Sequence, residues 1–594
     1  MMARVILTQE NGILMSHVPT TGLPLPGGNL DRLTHAQLAH LTGGISPAAL
    51  AMAFEDWLMH LSRNPAEQAG LIRELVEALM RFPGRLQQAP RPPGTLGLDP
   101  SLPDRRFTHP GWQAWPFNIW SQSFLLTEAW WKKASTGVRG VSPHHENVVS
   151  FTIRQLLDLM SPANFLWTNP EVLERTAQTG GANLVQGLHN LMDDVQQRQS
   201  KSGPPGAQAF RPGHEVAVTP GQVIFRNHLI ELIQYAPAGP QARPEPILIV
   251  PSWIMKYYIL DLSPGNSLIR FLVDQGYTVF TISWANPGHQ DRNLGMDDYL
   301  RLGVMDALDA VSSVVPGQRI HATGYCLGGT LLTIAAAAMG RDGDERLASL
   351  TMLAAQTDFT EPGELALFID DSQVSFLEDI MWDQGYLDTT QMAGAFQLLN
   401  SRDLVWSRLL KDYLMGERRP LSDLMAWNAD GTRLPYRMHT EYLRRLFLDN
   451  DLASGRYPVG TLPVALTDIT CPIFCVATLR DHVAPWRSVH KLHLLADVPV
   501  TFLLSSGGHN VGIVNPPGVA GRSYQVLTRP HDGRYFDPEA WLRAAPIHDG
   551  SWWPEWTAWL DARSGQPVAA PPMGKAGAGF APLCAAPGTH VLQT

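Results

Sequence analysis

The sequence predicts an α/β protein, built on an open and largely parallel sheet that a mainly helical region precedes. Short apolar runs alternate with stretches that favour helices, as a doubly wound sheet requires. The expected strands span residues 247–250, 278–284, 319–324 and 350–355. Open α/β folds place their reactive groups in the loops at the carboxyl ends of such strands. The sequence therefore predicts a catalytic sheet with its chemistry at that edge.

The turn after the third of these strands carries the most specific pattern. Residues 321–330 read HATGYCLGGT, with Cys326 between Gly324 and Gly328. In the α/β-hydrolase fold the nucleophile stands on a sharp strand-to-helix turn of this kind, where glycines allow close backbone approach. Residues 331–339 favour a helix, whose N-terminal dipole stabilises a thiolate. The pattern predicts an α/β-hydrolase fold with Cys326 as the nucleophile of an acyl transfer.

Two partners for this nucleophile follow in the expected order of acid and then histidine. Residues 472–479 form an apolar run typical of a buried strand, and Asp481 comes directly after it. Residues 500–504 form the next run, which leads through two serines and two glycines to His509. We expect His509 to take the proton of Cys326 and Asp481 to orient the imidazole ring.

A cysteine in place of the usual serine favours one reaction class. A serine acyl-enzyme is an oxygen ester, which lies downhill from a thioester donor and suits attack by water. An acyl group on Cys326 is itself a thioester, so exchange with a coenzyme A thioester is nearly isoenergetic. The acyl group thus stays activated for attack by another alcohol, which favours a transferase over a hydrolase.

Separated short segments share one family's pattern along most of the chain. They are 104–107 (DRRF), 122–126 (QSFLL), 161–165 (SPANF), 180–184 (GGANL), 256–262 (KYYILDL), 427–428 (WN), 480–486 (RDHVAPW) and 515–517 (NPP). With the cysteine turn, these segments resemble the poly(3-hydroxyalkanoate) synthases, which polymerise (R)-3-hydroxyacyl-CoA into storage polyester. The family is similar to this chain over nearly its whole length.

The resemblance implies roles for individual residues. Cys326 would carry the growing chain, and His509 would activate it. Asp481 would either orient His509 or act as the base for the incoming 3-hydroxyl group, directly or through His509. The backbone N–H of Leu327 would stabilise the oxyanion, with a second donor from the loop around Trp253.

The same loop departs from the family's usual pattern. The family reads Pro-Pro-x-Ile-Asn-Lys, whereas residues 251–256 read PSWIMK, with Ser252 and Met255 at the departing positions. The lining of this loop is therefore expected to differ. The resemblance implies no cofactor, because coenzyme A is part of the substrate.

The length and the self-contained N-terminal region resemble the class I, single-subunit synthases. This implies a short-chain substrate such as 3-hydroxybutyryl-CoA, a growing polyester chain, attachment to the granule surface and a homodimer. Two alternatives stay open. One is a polyhydroxyalkanoate depolymerase or acyl-CoA thioesterase that uses the same three residues with water as acceptor. The other is an inactive granule-associated structural protein.

Composition limits the remaining function classes. The chain has 594 residues with 44% hydrophobic and 17% charged residues, which is typical of a globular protein. A net charge of −10 argues against nucleic-acid binding. No secretory signal is evident at the N-terminus, and no apolar run reaches the length of a transmembrane segment. We therefore expect a cytoplasmic protein. No metal site is expected either, since Cys471 and Cys475 fall on an apolar strand.

The predicted domains follow from these patterns. We expect a mainly helical N-terminal domain over residues 1–205, of which the first 65 or so are flexible. Residues 206–564 are expected to form the catalytic domain. Within it, residues 361–451 interrupt the strand pattern and would form a cap over the site. The Ala/Pro/Gly-rich tail 565–594 is expected to be disordered.

Overall fold

The computed structural model describes residues 28–87, 104–200, 203–389, 391–392 and 406–594. Its N-terminal part consists of helices. They are α1 (Gly28–Leu41), α2 (Pro47–Ser62), α3 (Pro65–Gln87), α4 (Phe117–Ala134), α5 (Pro143–Leu159), α6 (Pro170–Thr179) and α7 (Ala182–Ser200). Local sequence explains several starts, because the side chains of Ser46, Ser142 and Asn169 cap helices that have proline in the first turn.

An 11-stranded sheet dominates the rest of the chain. The strands are β1 (Gly221–Arg226), β2 (Ile230–Tyr235), β3 (Gln241–Ala242), β4 (Ile247–Val250), β5 (Val279–Trp284), β6 (Ile320–Tyr325), β7 (Leu347–Leu353), β8 (Tyr386–Leu387), β9 (Leu434–Pro435), β10 (Tyr457–Val459), β11 (Leu462–Val464), β12 (Ile473–Thr478), β13 (Val500–Ser505), β14 (Ser523–Arg529), β15 (Ile547–Asp549), β16 (Val568–Ala569) and β17 (Cys584–Ala585). Eleven of these strands form the large sheet, in the order β15-β14-β13-β12-β7-β6-β4-β5-β2-β1-β17, and the other six form the pairs β10-β11, β16-β3 and β8-β9.

The strands from β5 to β13 in this order pair in parallel, and the strands at both edges pair antiparallel. Helices cover both faces. They are α8 (Leu268–Asp274), α9 (Met296–Asp298), α10 (Asp306–Val314), α11 (Leu327–Arg341), α12 (Asp371–Gln384), α13 (Asp423–Asn428), α14 (Tyr436–Tyr442), α15 (Trp486–His490), α16 (Leu492–Leu495), α17 (Pro538–Ala544) and α18 (Trp553–Asp561). The predicted α/β-hydrolase fold preceded by helices is confirmed.

Burial explains why the central strands read as continuous apolar runs. Every residue of β4, β6, β12 and β13 is buried, since helices cover the sheet on both sides. The carboxyl ends of these four strands lie at one edge of the sheet. Loops that leave this edge therefore start from fixed positions.

Two expectations about the chain ends differ from the structure. Within the first 65 residues, α1 packs on α12 and α2 packs on α5, with Ala39 and Ala53 buried at these contacts; residues 1–27 lie outside the described part. The tail also returns to the sheet, where β17 pairs with β1. A tail rich in alanine, proline and glycine has the composition of a disordered segment, but here it covers the N–H and C=O groups of an edge strand.

Candidate active site

Cys326 stands between the last residue of β6 and the first residue of α11. Its backbone has φ 52° and ψ −124°, a conformation that residues other than glycine seldom adopt. Such strain persists only where the surrounding structure fixes it, and it concentrates at functional sites. The turn keeps the side chain half-buried, at the carboxyl edge of the sheet.

The glycines around the cysteine permit contacts between backbones. A Cβ atom on Gly328 would lie 2.1 Å from the carbonyl oxygen of Val250, at the end of β4. A Cβ atom on Gly324 would lie 2.3 Å from the Cα atom of Gly329. The N-terminus of α11 thus sits directly against the end of β4, in addition to the close backbone approach expected within the turn itself.

Asp481 and His509 reach the same edge from neighbouring strands. Asp481 follows β12 and His509 follows β13, and the two strands pair in parallel. Nδ1 of His509 lies 2.8 Å from Oδ2 of Asp481. The His509 side chain is 11% exposed and that of Asp481 is 0% exposed. Because Nδ1 faces the carboxylate, Nε2 is the ring nitrogen left for the Cys326 sulfur, which lies near enough for its charge to raise the pKa of the imidazole.

The Asp481 carboxylate is satisfied on both oxygens. Oδ1 accepts the backbone N–H groups of Val483 and Ala484 at 2.9 and 2.8 Å, and Oδ2 accepts the hydroxyl of Thr478 at 3.0 Å. Burial would raise the pKa of Asp481, but the charge of His509 and these hydrogen bonds hold the pKa below its ordinary value. The group therefore stays an anion that fixes the His509 ring.

Opposing effects set the protonation of His509. Burial lowers the pKa of its imidazole, while the charges and hydrogen bonds of Asp481 and Cys326 raise that pKa well above its ordinary value. Together the three side chains bring a carboxylate, an imidazole and a thiol into one site, with a hydrogen bond between the first two. An arrangement of this kind can move a proton off a thiol and return it to a leaving group.

The loop after β4, residues 251–256, lies beside these side chains. It is held by residues 361–451, which we name the inserted segment. The backbone N–H of Thr432 donates to the carbonyl of Ile254 at 3.1 Å, and its hydroxyl donates to the carbonyl of Trp253. The Trp253 ring is buried beside those of Trp284 and Tyr299. Leu327, the other expected oxyanion residue, is the first residue of α11.

The two departing positions of this loop are also placed. Ser252 is 3% exposed, and its hydroxyl oxygen accepts the N–H of Ile254 at 3.5 Å. Met255 forms an isolated antiparallel bridge with Gly431 of the inserted segment. Ser252 therefore braces the loop from within, whereas Met255 belongs to the contact between the loop and the inserted segment.

Sequence reasoning missed two tyrosines beside the site. The hydroxyl of Tyr325 donates to Asn510 at 2.7 Å, and its ring lies 5.7 Å from that of His509. Burial and the charge of Cys326 raise the pKa of Tyr442, which comes from α14 of the inserted segment. Tyr325 could have been found by its position next to Cys326. Tyr442 lies 116 residues after Cys326, and no motif marks it.

The described residues hold no group of three or more His, Cys, Asp or Glu side chains that could bind a metal ion. No described helix is both long and apolar enough to span a bilayer. Cys475 lies within β12 and Cys471 just before it, and burial raises the pKa of the Cys471 thiol to about 12.

The fold and the site define the chain as an α/β-hydrolase-fold protein with a cysteine on the nucleophile turn. Residues 245–516 match the family described as "alpha/beta hydrolase fold". Residues 103–272 match "Poly-beta-hydroxybutyrate polymerase (PhaC) N-terminus", and residues 28–66 match "Poly-beta-hydroxybutyrate polymerase N terminal".

Curated relatives extend these matches over nearly the whole chain. The poly(3-hydroxyalkanoate) polymerase of Methylorubrum extorquens is 38% identical over 574 residues, covering 96% of this chain and 92% of the relative. A polymerase subunit PhaC of Rhizobium meliloti is 35% identical, with 91% and 88% covered, and that of Cupriavidus necator is 35% identical, with 79% and 80% covered. The chain belongs to the poly(3-hydroxyalkanoate) polymerase family and is an enzyme of the acyltransferase type.

Proposed function

We propose that this enzyme polymerises short-chain (R)-3-hydroxyacyl-CoA through a covalent thioester on Cys326, with His509 and Asp481 as its partners. The observation that carries the proposal is the hydrogen-bonded pair of Asp481 and His509 beside Cys326, which stands at a strained strand-to-helix turn. The names of the relatives support a polyester product. The preference for short acyl chains rests on the resemblance to single-subunit synthases.

The first step loads the enzyme. Nε2 of His509 takes the thiol proton of Cys326, and the thiolate attacks the carbonyl carbon of the acyl-CoA. The N–H of Leu327, with a donor from the loop at Trp253, stabilises the negative oxygen of the tetrahedral intermediate. The C–S bond to coenzyme A then breaks, and the departing thiolate receives the proton from His509. One acyl thioester forms while another is broken.

The second step makes the ester bond. The 3-hydroxyl of another hydroxyacyl-CoA gives its proton to His509 and attacks the acyl group on Cys326. The C–S bond to Cys326 breaks, the cysteine leaves as a thiolate, and a lengthened acyl-CoA results. Transfer of that chain back to Cys326 releases free coenzyme A, so each added monomer yields one ester and one thiol.

Exclusion of water supports transfer over hydrolysis. The Asp481 side chain is wholly buried, the His509 side chain is 11% exposed and Leu327 is 9% exposed. Tyr442 from the inserted segment lies close enough to Cys326 for the sulfur to affect its pKa. A thioester in so closed a site is reached more readily by a bound alcohol than by bulk water.

Hydrogen bonding favours one of the two roles for Asp481. Its carboxylate accepts bonds from Thr478, Val483 and Ala484 besides His509, so little capacity remains for a substrate hydroxyl. We therefore propose that Asp481 orients His509 and stabilises the imidazolium. Asp481→Asn should then slow loading and elongation equally, by roughly 100-fold or more. Slower elongation alone, measured as polymer growth against single-turnover CoA release, would assign Asp481 the base role.

Incubation with 3-hydroxybutyryl-CoA tests the proposal. Polymer together with free CoA supports it, monomeric acid with free CoA would indicate a depolymerase or thioesterase, and no CoA release would indicate a structural granule protein. Cys326→Ser should lose nearly all polymerisation, and an unchanged rate would remove Cys326 from the mechanism. Parallel reactions with 3-hydroxyoctanoyl-CoA measure the chain-length preference.

We further propose that the tethered polyester keeps the enzyme at the surface of cytoplasmic granules, where it acts as a homodimer. The support is chemical, because an insoluble product bound to Cys326 stays with the enzyme that makes it. Sedimentation of the purified protein without substrate measures its oligomeric state, and sedimentation after addition of substrate measures its attachment to the polymer. A monomer throughout would contradict the dimer.

A further inference from the structure

The last residues of the chain, 588–594, run from the sheet to the loop beside Cys326, and we name this segment the C-terminal strap. Its first anchor is Glu231, which is 0% exposed in β2. The Glu231 carboxylate accepts the backbone N–H groups of Thr589 and His590 at 2.8 and 2.9 Å and the Thr589 hydroxyl at 2.8 Å. Arg226 pairs with the same carboxylate at 2.5 Å. A buried anion thus fixes the start of the strap.

The second anchor lies at the other end of the strap. The main-chain oxygen of Gln593 accepts the ammonium group of Lys256 at 2.5 Å, and the Gln593 side chain accepts the N–H of Asn286 at 2.7 Å. A main-chain oxygen of Thr594 accepts the guanidinium of Arg433 at 2.8 Å. Lys256 is only 3% exposed, and its charge is balanced there by the main-chain oxygen of Gln593 together with the nearby Asp430 carboxylate.

Both cations of the second anchor connect to the loop proposed to hold the oxyanion. Lys256 ends that loop, and its carbonyl accepts the indole N–H of Trp427 at 2.7 Å. Arg433 directly follows Thr432, which bonds the carbonyls of Trp253 and Ile254. The strap therefore bonds the loop and the inserted segment at once, where the two meet.

We infer that the strap positions the oxyanion loop, with Glu231, Lys256 and Gln593 as positioning residues for loading of Cys326. This inference rests on the proposed function, because it assigns the strap a role in the same acylation step. None of the three residues touches the reacting atoms. They act by setting the distance of the loop from the sulfur, and small displacements of an oxyanion donor have large effects on rate.

Lys256→Met tests the loop side of the contact. Methionine keeps an apolar stem of similar length but removes the charge. Asp430 loses this cation and keeps the hydrogen bond from the Tyr258 hydroxyl at 2.8 Å. Single-turnover CoA release should slow about 10-fold with KM changed less than about two-fold. The matched control is Lys575→Met, which removes a lysine that donates to the carbonyl of Ser313 at 3.0 Å, outside the strap. Its loading rate should equal that of the unaltered enzyme.

Glu231→Gln tests the other end of the strap, since an amide cannot accept all the donors that the carboxylate accepts. Loading should slow to a similar degree. The double variant with Lys256→Met should be no slower than either single variant, because both changes release one element. Should Glu231→Gln fail to fold, Thr589→Ala, which removes the hydroxyl that donates to Glu231 at 2.8 Å, takes its place with a smaller loss of roughly two- to three-fold.

Rate and amplitude separate positioning from simple stability. A structural role would lower the fraction of active enzyme, read as burst amplitude, and leave the loading rate of the remaining enzyme unchanged; that result would overturn the inference. Multiplying effects in the double variant would overturn it too. If Cys326→Ala released CoA normally, the proposed function itself would fail, whereas normal loading in Lys256→Met with an inactive Cys326→Ala removes only the strap's role.

Discussion

The parallel sheet and the N-terminal helices bury their apolar residues to different extents. All residues of β4, β6, β12 and β13 are buried. In α3, by contrast, Ile72, Leu79 and Met80 are 63%, 62% and 75% exposed, and Val185 and Met192 of α7 are 59% and 57% exposed. Close packing on both faces of the sheet therefore fixes the catalytic edge, whereas the helices of the N-terminal region are folded with more of their apolar surface exposed.

Polar contacts supply much of the helical region's definition. Arg106, 17% exposed, pairs with Asp104 and Glu128 at 2.6 Å and with Asp158 at 3.0 Å. Its guanidinium also lies 4.9 Å from the ring centre of Phe124. This one cation joins a turn to α4 and α5. The stability of the helical region should therefore respond most to the removal of a charged side chain. The sheet should respond most to a change in side-chain volume.

Gly328→Ala is expected to have the largest effect. The new Cβ would lie 2.1 Å from the oxygen of Val250 and 2.5 Å from that of Pro251, so α11 or β4 must shift. A shift of about 1 Å at the nucleophile turn costs about 100-fold in rate, and we expect at least that loss of CoA release. The thermal midpoint should fall as well. Full activity would show that the turn is more adjustable than the close contact implies.

Arg106→Met should come next and should act on the helical region alone. Removing one partner of a buried ion cluster costs about 3–5 kcal/mol, because three carboxylates lose the cation that they share. Hydrogen exchange in α4 and α5 should accelerate, while single-turnover loading of Cys326 should stay within about two-fold. Equal loss in both measurements would mean that the two regions unfold as one cooperative unit.

Acid should weaken the catalytic region through its buried histidines. Burial lowers the pKa of His321, held between Ser349 and Ser564, to about 4. The folded state keeps this ring neutral, whereas the unfolded chain protonates it below the usual histidine pKa of about 6.5. The contribution of His321 to the free energy of unfolding is therefore fully present above a pH of about 6.5 and is lost as the pH falls towards 4. Between pH 7 and pH 5 the loss should be about 2 kcal/mol. In His321→Gln the free energy of unfolding, measured by chemical denaturation, should depend less steeply on pH between 7 and 5. An unchanged pH dependence would contradict this assignment to His321.

Gly70→Ala should have the smallest effect and the opposite sign. Nothing lies within 4 Å of a Cβ atom at this position of α3, and alanine favours a helix more than glycine does. The free energy of unfolding should rise by about 0.5–1 kcal/mol with loading unchanged. Chemical denaturation measures the change. A glycine-to-alanine substitution is thus expected to lower activity at Gly328 in the catalytic edge and to raise stability at Gly70 in the helical region.

The sequence predicted the catalytic edge more fully than its surroundings. The strand-to-helix turn at Cys326 and the acid and histidine after two further strands have local signatures, because glycines and apolar runs mark them. The return of the tail, the contact between Lys256 and Gln593 and the approach of Tyr442 join residues far apart in the chain. Such contacts follow from how elements pack, and no pattern within a short window encodes them.

Mass spectrometry of the enzyme after reaction with a non-extendable 3-hydroxyacyl-CoA analogue directly tests whether a thioester forms at Cys326. The account predicts one acyl group, attached to the peptide that contains Cys326, and no adduct in Cys326→Ala. His509→Gln should slow the appearance of this adduct. An acyl group on another residue, or CoA release without any adduct, would contradict a thioester at Cys326.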